Sequence, residues 1–171
     1  GVGRASHYYS FTRLSSEGVL RIGGRDIPVT GLSWFDREWS SNQLAGNQAG
    51  WDWFSLQFDD GSELMLYQIR NKGGGRDPNS SGTFVDAQGV ATPLEESEFT
   101  LEPLDTWLSP ESHGRYPIAW KITVPRLNMR LDVSAALKNQ ELVLKPITYW
   151  EGAIRAQGTV GEKNITGSGY L

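Results

Sequence analysis

Trp34-Phe35-Asp36-Arg37-Glu38-Trp39 places two carboxylates, one guanidinium and three aromatic rings in six consecutive positions. On a strand, alternate residues share a face. Trp34, Asp36 and Glu38 then point one way, and Phe35, Arg37 and Trp39 the other. Both faces must meet something that accepts charge. Two carboxylates beside an indole can do general acid–base work, so Asp36 and Glu38 are the candidate acid and base. Trp51-Asp52-Trp53-Phe54 repeats the theme: Trp51 and Trp53 share a face and Asp52 lies opposite. Tyr67 and Arg70 fall on the hairpin partner of that strand. A third cluster is Tyr149-Trp150-Glu151, followed by Arg155. Together these supply aromatic walls (Trp34, Trp39, Trp53, Tyr67, Trp150) and a few charged groups (Arg37, Glu151). Such a lining suits an apolar ligand with one polar or reactive end. The same residues also fit a structural reading. The rings would then be core with their N–H and O–H groups satisfied, and Asp36-Arg37-Glu38 an ion-pair network closing one barrel end.

Other chemistries find less support. His7 and His113 are the only histidines, and two histidines rarely make a zinc site without further ligands; no metal and no cofactor is expected. No glycine-x-serine-x-glycine elbow surrounds Ser33, Ser40 or Ser41, which argues against a serine hydrolase triad. Lys72-Gly73-Gly74-Gly75-Arg76 lacks the spacing and the following helix of a phosphate loop, and reads as a solvated loop. Asn79-Ser80-Ser81 and Asn164-Ile165-Thr166 match the short N-glycosylation pattern.

The elements that must position these residues read as strands. A chain of 171 residues fits one domain. It has no cysteine, which excludes disulfides and thiolate metal sites. A net charge of −4 argues against nucleic acid as a partner. No uncharged run approaches the ~18 residues of a transmembrane helix. Twenty glycines, seven tryptophans and six tyrosines suit short strands and tight turns. Turn signals recur every ten residues or so. Strands are expected at His7–Arg13, Val19–Ile22, Ile27–Thr30 and Ser33–Ser40, with turns at Glu17-Gly18 and Gly23-Gly24 and an edge strand marked by Pro28. Asp60-Gly61 signals a hairpin between Trp51–Phe58 and Glu63–Arg70. Asn71–Ser81 is irregular. Gly82–Asp86 and Val90–Thr92 pair around Ala87-Gln88-Gly89. Glu98–Leu101 is a strand, and Trp107–Pro117 a long surface loop. Tyr116–Val124 and Met129–Val133 pair across Pro125–Asn128. Leu142–Leu144, Thr148–Gln157 and Asn164–Leu171 complete about twelve strands. Leu131–Leu142 is the one stretch that could be a short helix, and it lacks caps. The sum is an all-β antiparallel meander closed into a barrel, which hides its edges.

Several of these segments resemble, in the same order, the C-terminal half of the AttH-like, carotenoid 1,2-hydratase-related family, whose members are labelled predicted secreted hydrolases. Ser6–Thr12 resembles the opening strand of that half. Ser33–Trp39 looks like the family's most recognisable stretch. Gly50–Leu56 and Gly61–Arg70 are similar to its next hairpin, and Tyr149–Gly152 and Gly167–Leu171 to its closing strands. The match spans essentially the whole chain.

The resemblance implies two lipocalin-like barrel domains, of which residues 1–171 are the second; the N-terminal barrel is then a partner this sequence lacks. It implies a bacterial protein that is secreted or periplasmic, in some members lipid-anchored. It also implies hydratase- or hydrolase-like chemistry on an apolar small molecule, isoprenoid or lipid-like. To hydrate an isolated trisubstituted alkene, an acid protonates one carbon. The tertiary cation needs aromatic faces and nearby negative charge, and a base helps water attack. Trp39 and Tyr67 match the hydratases. Arg37 stands where those enzymes are expected to have histidine, and Ile69 where an acid is expected. Arginine does not serve as acid or base near neutral pH, which leaves Asp36 and Glu38 for proton transfer and Arg37 as a polar clamp. The alternatives are a lipocalin-like carrier with the same walls and no turnover, and a structural partner barrel.

Overall fold

The computed structural model describes residues 6–40, 44–144 and 147–171. The chain forms two compact units, residues 1–47 and 48–171.

The first unit is one long hairpin. β1 (Ser6–Ile22) pairs antiparallel with β2 (Arg25–Ser40), from Ile22 opposite Arg25 to Ser6 opposite Ser40, with one irregularity between Phe11 and Leu14. Gly23 and Gly24 close it at φ +56° and +76°. A two-residue loop with both φ positive matches the twist of the flanking strands, and glycine takes it without strain. The four expected strands are therefore two. Glu17-Gly18 does not turn, because Thr30 and Val29 face it across the ladder and keep it extended. Pro28 stays inside β2 because each strand of a two-stranded ribbon is an edge.

The second unit is all-β, with a nine-stranded antiparallel sheet that curls into a half-barrel of lipocalin-like form. Its strands are β3 (Gln48–Phe58), β4 (Glu63–Asn71), β5 (Ser81–Val85), β6 (Ala91–Glu95), β7 (Thr100–Leu108), β8 (Arg115–Val124), β9 (Met129–Ala135), β12 (Ala153–Val160) and β13 (Lys163–Tyr170). They run in the order β6-β5-β4-β3-β13-β12-β9-β8-β7. β10 (Glu141–Leu144) and β11 (Ile147–Trp150) form a separate hairpin. Short 3-10 turns occupy Glu96–Glu98 and Pro125–Leu127. The core is built from Phe54, Leu56, Leu64, Leu66, Trp120, Ile122, Leu131 and Ile154, with Phe54 and Trp120 meeting edge to face at 5.3 Å.

Local chemistry explains the hairpins. Gly61 takes φ +88° after Asp60, whose Oδ1 accepts the Ser62 amide at 2.9 Å. Asn128 takes the left-handed conformation that ends the Pro125–Leu127 turn. Gly169 lets β13 lie against β3: a Cβ there would fall 1.8 Å from the Ser55 carbonyl oxygen.

Two expectations fail here. Leu131–Leu142 is not helical. Met129, Leu131 and Val133 are buried and Arg130, Asp132 and Ser134 exposed, a period of two that belongs to a strand. Trp107–Pro117 is not a long loop either. β7 and β8 pair through Leu108 and Arg115, leaving only a tight tip. That tip is held by buried Ser109, whose Oγ donates to Glu141 Oε2 at 2.5 Å and accepts the Glu111 and Ser112 amides at 3.1 Å. Ser112 Oγ and Tyr116 OH donate to Glu141 Oε1. Burial pushes the Glu141 carboxyl up, but the three hydroxyls outweigh it and hold the group below its usual range.

Candidate functional site

The first unit assembles one carboxylate site. The register sets Tyr8 opposite Glu38 and Ser10 opposite Asp36, so these residues share the face that also carries Trp34. Asp36 is the centre. Tyr8 OH donates to its Oδ1, and Trp34 Nε1 donates to the same oxygen at 2.8 Å. Asp36 Oδ2 has no hydrogen-bond donor among the described residues and lies on an exposed residue. Partial burial, and then the adjoining Asp36 carboxylate, hold the Tyr8 phenol far above its usual value, so it stays protonated and a donor. One oxygen is thus pinned by two neutral donors while the other has none among the described residues. That arrangement can pass a proton to or from a bound molecule or a water.

The opposite face of the hairpin is a ladder of rings. His7 lies opposite Trp39, Tyr9 opposite Arg37 and Phe11 opposite Phe35. His7 stacks on Trp39 at 5.3 Å; Tyr9 meets Phe11, Phe35 and Trp39 at 5.9, 6.2 and 6.2 Å. Phe11, Phe35 and Trp39 are 55, 42 and 51 % exposed, so this ladder is not core within its own unit. Arg37 sits among the rings, as the alternation of the strand requires. Sequence reasoning found Trp34, Asp36, Glu38, Arg37 and Trp39 but missed Tyr8, Tyr9 and Phe11. The signal was the aromatic run His7–Phe11, which only the register ties to positions about 28 residues away.

The second unit holds the remaining predicted residues. Trp53 and Tyr67 are direct cross-strand partners. Trp53 meets Tyr170 edge to face at 6.2 Å, and Tyr67 OH donates to the Asn79 carbonyl at 2.8 Å. Trp150 lies elsewhere: it packs on the core and donates Nε1 to the Lys138 carbonyl at 2.8 Å, an anchor for the β10–β11 hairpin. Glu151 bonds through its amide to the Gln140 carbonyl, and its carboxylate lifts the Tyr149 phenol by hydrogen bonding.

A group the sequence reading placed only as "opposite" turns out to be the buried one. Asp52 lies on the core face of β3, across from Gln68, with its side chain 9 % exposed. Gln68 Nε2 donates to Oδ2 at 2.8 Å, and Arg70 Nε approaches the same oxygen at 3.3 Å. Burial nevertheless dominates and pushes the carboxyl up, against the pull of Arg70 and Gln68. Its signal was a carboxylate between two tryptophans on a hairpin whose partner strand carries Arg70 near its end.

The second unit also has an open, solvent-facing depression of about 410 Å³, the cavity lined by Gln68, Arg70, Gly75, Arg76, Thr100 and Leu101. None of the predicted wall residues lines it. The loop expected to be solvated contributes an anchored end: Arg76 Nε meets Glu96 at 2.5 Å, its Nη2 donates to the Glu96 and Phe99 carbonyls at 2.9 and 3.0 Å, and its guanidinium lies 4.9 Å over the Phe99 ring. Among the described residues no group of three or more His, Asp or Glu side chains could hold a metal. No described helix is long and apolar enough to cross a membrane.

Comparison with known proteins follows the fold. A family model described as AttH-like matches residues 1–171. A solved structure of a Nitrosomonas europaea protein assigned to AttH superposes with a TM-score of 0.86 and 35 % identity, over 100 % of this chain and 53 % of that one. Kievitone hydratase from Nectria haematococca shares the fold with a TM-score of 0.77 at 20 % identity, over 96 % of this chain and 51 % of that one. Among curated proteins, dehydratase asqC of Emericella nidulans is 23 % identical over 79 % of this chain and 40 % of its own length. The chain spans about half the length, or less, of each of these relatives.

Proposed function

The chain belongs to the AttH-like family, and we propose that it is the C-terminal barrel domain of a protein with hydratase-like acid–base chemistry on an apolar, isoprenoid- or lipid-like small molecule. The observation that carries the reading is Asp36, on an exposed position, with one oxygen pinned by Tyr8 and Trp34 and the other without a donor among the described residues. Hydration of an alkene and dehydration of the resulting alcohol are one reaction run in two directions and share a transition state. A relative named dehydratase and a fold neighbour named hydratase therefore support the same chemistry.

In this reading Asp36 and Glu38 share proton transfer. Asp36 is the better placed, since its partners are neutral donors that fix its orientation without neutralising it. Trp34, on the same face as Asp36, stabilises positive charge there; Arg37 and Trp39 lie on the ring face of the same ribbon, and Trp53, Tyr67, Trp150 and Glu151 belong to the second unit and are no part of this site. The partner domain is the N-terminal barrel that the relatives' greater length accommodates. Export to the periplasm or beyond, in a bacterium, belongs to the same proposal and is supported by the family alone.

The test is native mass spectrometry of the gently purified full-length protein. A retained lipid or polyene supports the reading and identifies the ligand class. A clean mass after incubation with lipids and acyclic isoprenoids would sink it.

A further inference from the structure

The second unit carries a feature that Asp36 chemistry does not use. Along β3 and β4 the core face is apolar at Leu56/Leu64 and Phe54/Leu66, then turns polar at Asp52/Gln68 and Gly50/Arg70. The polar end opens on the 410 Å³ cavity. A volume of roughly 300–1,000 Å³ is ordinary for a small-molecule site.

Two guanidinium groups line this cavity, and they are in different states. Arg76 is fully engaged, with the Glu96 carboxylate, two backbone carbonyls and the Phe99 ring as partners. It is a wall. Arg70, its cross-strand neighbour, is held loosely. Its side chain is 51 % exposed. It reaches Asp52 through Nε alone at 3.3 Å and the Trp51 carbonyl through Nη2 at 3.4 Å. A committed arginine–carboxylate fork has two parallel bonds of about 2.7–2.9 Å. No Arg70 Nη1 acceptor is found among the described residues. The guanidinium also sits over Gly50, where a Cβ would stand 2.9 Å from Nη2, so the backbone there leaves it room. Among the described residues that line the cavity there is no carboxylate; Asp52 and Glu96 stand behind the two arginines. Thr100 supplies a hydroxyl and Leu101, which packs on the core, an apolar wall.

We propose that this cavity is a binding site for the carboxylate of a small organic acid, with Arg70 taking the carboxylate as a fork and Leu101 flanking the hydrocarbon. Arginine suits this task because its planar donors match a carboxylate bidentately. Asp52 is a weak competitor for Arg70, being buried and single-contact. Gln68 is held in place by Asp52 and fixes the cavity's inner edge. The site is independent of Asp36 and lies wholly within the second unit.

The experiment titrates the full-length protein with hexanoate, hexanol and inorganic phosphate, followed by calorimetry. Hexanoate should bind, with hexanol and phosphate each at least about tenfold weaker. Arg70→Gln should weaken hexanoate by about tenfold or more, the loss of a hydrogen-bonded charge, and Arg70→Lys by less. Arg70 is half exposed, so these variants should fold, which circular dichroism checks. Thr100→Glu, at an exposed position, should place a carboxylate in the cavity and abolish hexanoate binding with Arg70 intact. The proposal is overturned if wild type does not bind hexanoate, if Arg70→Gln binds it as well as wild type, or if hexanol or phosphate binds equally tightly.

Discussion

Asp36 and Asp52 look alike in the sequence, each a carboxylate among tryptophans on a strand, and the fold makes them opposites. Asp36 shares a face with Trp34 and receives its N–H; Asp52 is on the other face from Trp51 and Trp53 and never meets either indole that way. Asp36 sits on a two-stranded ribbon, exposed and held by a phenol and an indole. Asp52 sits on the core face of a nine-stranded sheet, buried and held by an amide and a loose guanidinium. What separates them is one residue of phase along a strand, together with what lies behind that face. An exposed carboxylate can serve a ligand; a buried one shapes its surroundings.

The widest expected gap is in stability. Phe54→Ala, beside Asp52 and fully buried against Trp120, should cost about 3–5 kcal/mol in denaturant unfolding. Phe11→Ala, on the Asp36 ribbon and 55 % exposed, should cost under about 1 kcal/mol. Equal costs would mean that the ribbon's ring face is as buried as the core.

Next is Tyr8→Phe, which removes a donor from Asp36 and keeps the ring. Turnover of the full-length protein should fall by about tenfold, the worth of one hydrogen bond to a charged group, with folding unchanged. An unaltered rate would leave Trp34 as the sole positioning partner that matters.

Two smaller effects have opposite signs with pH. Glu141 is held below its usual range in the native state, so its contribution is present above the ordinary carboxylate range and disappears as pH falls through its lowered value. Glu141→Gln should lower the melting temperature at neutral pH and make little difference in acid. Asp52 is raised, so its contribution is present below the ordinary carboxylate range and lost as pH rises through its raised value. Asp52→Asn should therefore gain on wild type as pH rises from the carboxylate range to neutrality. If it loses ground instead, the Arg70 ion pair outweighs burial.

Much of this was legible from local chemistry. Asp60-Gly61, Ala87–Gly89 and Pro125–Asn128 each carry their own turn signal, and each joins the strands it should. The shared face of Trp34 and Asp36 follows from a period of two. What stayed hidden depends on distant partners. Glu17-Gly18 is a fair turn locally, and only pairing with Thr30 and Val29 straightens it. The Gly23-Gly24 turn was legible, but Tyr8 could not be assigned to Asp36 without knowing that both strands run unbroken from that turn, because one residue of slip would send Tyr8 to the ring face. The burial of Asp52 needs the whole curled sheet. Arg76 read as solvated because its anchors, Glu96 and Phe99, come some twenty residues later.

The most direct test of the account is turnover of the full-length protein on an acyclic isoprenoid alkene in heavy-oxygen water, comparing wild type with Asp36→Asn. Wild type should incorporate label into a tertiary alcohol, and the variant should drop by about 10²–10⁴-fold, the range for removing a general acid or base, with an unchanged circular dichroism spectrum. Full activity in Asp36→Asn, with loss in Asp52→Asn, would contradict it and move the chemistry to the second unit.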